Sequence, residues 1–131
     1  MILSPSMAAE EAKRWLGLAK DDLHSAEVIL NSRQFYVCAF LCQQSVEKGL
    51  KALLIKKTGA LLKIHDLVLL AKKGGMPEAL IEKCDALNNI YLETRYGDVS
   101  GIPPSKKFNL ENTSPFLTRA KEVIAWLEKN I

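Results

Sequence analysis

The apolar residues Ala8, Ala12, Trp15, Ala19, Leu23, Ala26 and Leu30 follow one another in steps of three and four. That spacing keeps them on one side of a helix and forbids a half-buried strand, which needs a step of two. A second stripe, Phe116, Ala120, Val123, Ile124, Leu127 and Ile131, repeats the pattern near the other end. No segment alternates with period two over a useful length, so no sheet is expected. The 131 residues suit one domain, and 48% hydrophobic content is enough for a real core.

Local signals divide the chain into four long helices and a short one. Ser6 is read as the cap of a first helix over Met7 to Leu30, with Glu10 and Glu11 near its positive end. "NSRQ" is a turn. A second helix runs from Phe35 to Thr58 and stops at Gly59, with Lys56 and Lys57 in its last turn. A short helix follows from about Asp66 to Lys73 and ends at Gly74-Gly75. Pro77 opens a fourth helix, which extends to about Arg95. "YGDVSGIPPSKKFNLENTS" reads as a long ordered loop. Ser114-Pro115 then reads as cap and first position of a fifth helix reaching Lys129. The expected fold is all-α: an antiparallel up-and-down helical bundle of four long helices plus one short, in one domain over 1–131.

Composition excludes several classes. No apolar run approaches the ~20 residues that span a bilayer, and the first residues lack the pattern of a secretory leader. Cys38, Cys42 and Cys84 are odd in number and lie on apolar faces, which fits reduced core thiols in a cytoplasmic protein. Glycine-rich phosphate loops, nucleophile elbows, zinc spacings and carboxylate clusters are all missing. Neither a metal site nor a cofactor is expected.

The overall charge is +3, but it is unevenly placed. Between Lys48 and Lys73 seven lysines face one acid, Asp66. Such an excess either attracts an anionic partner or forms a solvated surface. On the second helix Gln43, Gln44, Glu47, Lys48 and Lys51 share one arc, with Tyr36 and Phe40 above it and Leu54 at its edge. A solvated stripe, a subunit contact and a ligand contact are the open readings. On the fourth helix the stripe Leu80, Cys84, Leu87, Tyr91 leads to Arg95, Tyr96 and Asp98. Arg95 pairs with Asp98, or it holds a phosphate while Tyr91 or Tyr96 offers a stacking surface. His65 and Asp66 either cap the short helix or, in the case of His65, move a proton. His24 sits among polar neighbours and reads as a surface residue. Trp15, Tyr36 and Phe40 are expected to be partly exposed.

Three stretches, "SAEVILNSRQFYVCAFLCQQSVEKGLKALLIKKTG", "KIHDLVLLAKK" and "IYLETRYGD", resemble the HEPN domain family in order and spacing, over about Lys13 to Leu127. The resemblance implies a helical bundle that pairs as a homodimer. It also implies a nucleotidyltransferase-fold partner, toxin–antitoxin systems, and nucleotide or RNA as ligand. The implied ligand-binding residues are Lys48, Lys51, His65, Asp66, Tyr91, Arg95, Tyr96 and Asp98. Many members are metal-independent ribonucleases carrying an Arg followed after four to six residues by a His. Here those positions hold Ser100, Gly101 and Ile102, so no catalytic residue is assigned. The alternatives are an endoribonuclease in which His65 replaces the missing imidazole, and a purely structural oligomerisation domain.

Overall fold

The computed structural model describes residues 2–95 and 101–131, with the side chains of Leu92 and Arg95 outside that description. Its elements are α1 (Pro5–Asn31), α2 (Phe35–Thr58), α3 (Leu67–Lys73), α4 (Glu78–Asn88), α5 (Ile90–Arg95), α6 (Pro104–Lys107) and α7 (Leu110–Asn130). The fold is an all-α bundle, with no strand among the described residues.

Cross-links between helices set their directions. Leu3 N–H donates to the Gly59 carbonyl and Ala8 and Ala12 pack with Ile55, while Ser45, nearer the turn at Ser32 to Gln34, donates to the Ala19 carbonyl at 2.6 Å, so α1 and α2 run antiparallel; Lys48 pairs with Asp22 at 2.6 Å across them. Lys20 with Glu128 and Lys121 with Glu27 make α7 antiparallel to α1. The stripe predicted for α1 is the buried one: Ala8, Ala12, Ala19 and Ala26 are all at or near zero exposure. Small residues there let α1 lie close against α2.

The centre of the molecule is α2. Cys38, Cys42, Val46, Leu50 and Leu53 are buried on one side, and Gln43, Glu47, Lys51 and Leu54 are buried on another. Gly49 leaves room for α7: a Cβ there would stand 2.7 Å from the Leu127 Cδ1. All three cysteines are free and buried, and burial pushes the Cys84 thiol up to about 12. A thiol raised by burial, as at Cys84, is a packing group rather than a reactive one. Among the described residues no helix is long and apolar enough to cross a membrane.

Three predicted boundaries move. The first helix begins at Pro5, not Met7, because Ser4 rather than Ser6 is the cap and accepts from the Met7 amide. The fourth helix is broken at Asn89, whose neighbours Leu87 and Ile90 both stay in the core. The last helix begins at Leu110, five residues before Pro115. Asn109 and Asn112 form a reciprocal capping box, each side chain accepting the other's backbone N–H at 2.8 and 2.9 Å. That box outcompetes the Ser114-Pro115 signal. Pro115 then lies inside the helix, where its missing N–H faces an exposed stretch containing Glu111.

Gly59 closes α2 in the left-handed region, with φ 75°, and its N–H donates to the Ile55 carbonyl at 2.7 Å. Its carbonyl accepts from Leu3 N–H, and a Cβ at Gly59 would come within 2.7 Å of the Leu3 carbonyl oxygen. Gly59→Ala therefore combines an unfavourable φ with a clash against backbone. We expect it to lower stability by about 2 kcal/mol, read as a fall in urea midpoint with unchanged slope.

Candidate functional site

The loop from Ala60 to Asp66 carries the chain from the end of α2 back across its flank. Leu62 and Ile64 pack against the core, while Leu61, Lys63 and His65 are exposed. This alternation anchors the loop and holds the His65 ring over the polar band of α2. Its Nδ1 lies 3.1 Å from both carboxylate oxygens of Glu47.

Glu47 is 6% exposed and is surrounded by donors. Gln43 Nε2 donates to its Oε1 at 3.1 Å, and Lys51 Nζ to its Oε2 at 3.1 Å. Gln44 in turn donates to the Gln43 carbonyl oxygen at 2.6 Å. A buried carboxylate is tolerable only when its lone pairs are filled in this way. No buried side-chain nitrogen or oxygen among the described residues lacks a partner.

The far side of the loop is held by α3, α4 and α5. Asp66 caps α3, accepting from the amides of Val68 at 3.0 Å and Leu69 at 3.2 Å. Asn88, at the end of α4, donates to Asp66 at 3.0 Å and accepts from the Leu67 amide at 2.8 Å. The break at Asn89 then sets Tyr91 against His65, ring centroids 5.1 Å apart and 12° from parallel. His65, Asp66, Asn88, Asn89 and Tyr91 line a shallow hollow of about 310 Å³. An imidazole gripped by a carboxylate and stacked on a phenol is a prepared contact for a planar or hydroxylated ligand.

The structure thus joins four predicted residues: Lys51 and His65 meet at Glu47, and Asp66 and Tyr91 share the hollow with His65. Lys48 turns the other way and pairs with Asp22 of α1. Arg95 ends α5, one turn beyond Tyr91, and its side chain lies outside the described residues together with Tyr96 and Asp98. Sequence reading missed Asn88. The only available signal was the Asn88-Asn89 pair, a weak helix-forming step inside a presumed continuous helix.

The lysine-rich segment is largely spoken for. Besides Lys48 and Lys51, Lys57 donates to the Gly74 carbonyl at 2.5 Å and Lys56 to the Ile131 carbonyl, each capping a helix end. Lys63, Lys72 and Lys73 are exposed, without an ion-pair partner among the described residues. A separate groove of about 540 Å³ lies between α1 and the end of α2, lined by Leu3, Met7, Trp15 and Leu61 among others. Trp15, Tyr36 and Phe40 are half-buried, and His24 is exposed. Among the described residues no cluster of His, Cys, Asp and Glu could hold a metal ion.

These features define a small helical-bundle domain with a polar site built from its central helix, a returning loop and a broken fourth helix. The chain matches the HEPN domain over residues 12–130 and belongs to that family. TT1696 of Thermus thermophilus is a similar solved structure, 26% identical, covering 92% of this chain and 98% of its own, with a TM-score of 0.84. ST0689, an archaeal HEPN homologue, shares the fold at 23% identity and a TM-score of 0.78, over 90% of this chain and 95% of its own. No curated protein matches the chain.

Two contrasts test the site. Lys51→Ala strips a buried carboxylate of its ammonium and is expected to cost about 3 kcal/mol. Lys48→Ala breaks a partly buried pair between two helices that leaves Asp22 open to water, and is expected to cost less, about 1 kcal/mol; urea denaturation compares the two. Asp66 is held below the usual carboxylate range, first by the Leu69 amide, then by Asn88, Val68 and the Lys72 charge. A depressed folded-state value means that the ionised cap stabilises above the unfolded value and that this contribution fades as pH falls through the folded one. Asp66→Ala is therefore expected to cost about 1 kcal/mol at pH 7, and the difference from the parent protein should shrink below about pH 4.

Proposed function

We propose that this HEPN-family chain is a nucleotide- or RNA-binding interaction module. In this reading it acts in the cytoplasm as a homodimer, alongside a nucleotidyltransferase-fold partner in a toxin–antitoxin-like pair. Family membership supports the dimer, the partner and the pairing. The observation that carries the binding role is the hollow beside α5, where His65 is locked by Glu47 and stacked on Tyr91. In this reading Arg95 holds phosphate, Tyr91 and Tyr96 supply stacking surface, and His65 and Asp66 give the polar wall. Asp98 steadies Arg95. Lys48 and Lys51, both already paired with carboxylates, contribute as fixed charges within the fold rather than as direct contacts.

One observation favours a second reading, a metal-independent endoribonuclease. A carboxylate on Nδ1 is how a histidine is oriented to exchange protons through its other nitrogen. That reading places the acid–base role on His65, outside the Arg-spacer-His pattern.

The test is binding of a fluorescently labelled nucleotide and a labelled single-stranded RNA by Arg95→Ala and His65→Ala. Both are expected to bind more weakly, and Arg95→Ala is expected to show a shallower dependence on salt. Unchanged affinity and salt slope would remove Arg95 from the site. RNA cleavage in the presence of a chelator, lost in His65→Ala, would move the assignment to the second reading.

A further inference from the structure

The hydrogen-bond roles at His65 are fixed by elimination. Glu47 is paired with the Lys51 ammonium, and as a carboxylate it can only accept. Both of its oxygens lie 3.1 Å from His65 Nδ1, so Nδ1 carries the hydrogen. In the neutral ring Nε2 is then a lone pair. The stack on Tyr91 fixes the ring plane, and the side chain is 58% exposed.

Two of the other polar groups around the hollow are already occupied, Asp66 Oδ1 and the Asn88 side chain. Asp66 Oδ1 accepts from Val68, Leu69 and Asn88. Asn88 uses its carbonyl oxygen on the Leu67 amide and its amide on Asp66. His65 Nε2 has no hydrogen-bond partner among the described residues. What it offers a ligand is an acceptor, and an acceptor calls for a hydroxyl or an N–H. An ionised phosphate has no hydrogen to give it. The ribose 2′-hydroxyl does, and that group separates RNA from DNA.

We propose that Glu47 is a positioning residue that holds His65 as its Nδ1–H form, so that Nε2 accepts a hydrogen bond from a ribose 2′-hydroxyl in the hollow. This rests on the nucleotide- or RNA-binding reading above, and it adds a residue that selects the sugar. Glu47 does not touch the ligand; it acts through the ring.

Two measurements test the proposal separately. The first is long-range ¹H–¹⁵N correlation on the labelled intact protein, at a pH where the ring nitrogens report a neutral imidazole. The Nδ1–H form is expected for His65, and an Nε2–H form overturns the role given to Glu47. The second compares labelled single-stranded RNA with DNA of the same sequence at the same pH. RNA is expected to bind about tenfold more tightly, the value of one well-made hydrogen bond. His65→Phe keeps a ring against Tyr91 and lacks Nε2; it should bring the RNA-to-DNA ratio to about one. Glu47→Gln should lower the ratio and mix the ring forms; because that position is buried, the exposed His65→Phe carries the test if Glu47→Gln does not fold. An RNA preference that survives in His65→Phe overturns the ribose contact. If neither oligomer binds, the binding reading fails and the ribose contact with it, whereas the spectrum of the intact protein still decides what Glu47 does to His65.

Discussion

Glu47 carries one negative charge inside the bundle, and much of the local architecture follows from keeping that charge satisfied. It draws Gln43 and Lys51 along α2 and fixes the ring of His65 from the returning loop. An unpaired carboxylate at that depth would cost several kcal/mol. The loop is therefore tied to α2 by a polar anchor as well as by Leu62 and Ile64. The anchor is a histidine at the protein surface, so the contact that ties down the loop also fixes the orientation of an exposed ring.

The second half of the site comes from a discontinuity. α4 and α5 are one helix by periodicity and two in space. The break at Asn89 keeps Leu87 and Ile90 in the core and places Tyr91 flat against His65. Just before it, Asn88 ties the α3 cap to the end of α4. The cap, the break and the stack share residues within a few positions of each other.

In the lysine-rich segment charge along the sequence and charge in space differ. Seven lysines against one acid read either as a surface for an anionic partner or as a solvated face. In space Lys48 and Lys51 meet carboxylates, and Lys56 and Lys57 cap helix ends. Lys63, Lys72 and Lys73 remain exposed. A charge run along a sequence counts partners only within itself, whereas Asp22 lies on another helix.

The helical class, the extent of α2 and its stop at Gly59 were written in the sequence, because each depends on short-range geometry: a repeat of three to four, a glycine at positive φ, lysines in a last turn. The start of α7 was legible too, but in the Asn109–Asn112 box rather than in the Ser-Pro pair that looked stronger. At the site, the order of Glu47, His65-Asp66 and Tyr91 carried the family resemblance, and His65 and Tyr91 were singled out as candidates. What no local pattern could decide was which side of α2 is dry. On a helix drawn alone the arc of Gln43, Glu47 and Lys51 reads as a solvated stripe, a subunit contact or a ligand contact; in the fold all three are buried, and His65 of the returning loop meets Glu47. Burial is a property of what packs on a surface, so the change of Glu47 from a solvated acid to the anchor of a histidine belongs to the tertiary structure.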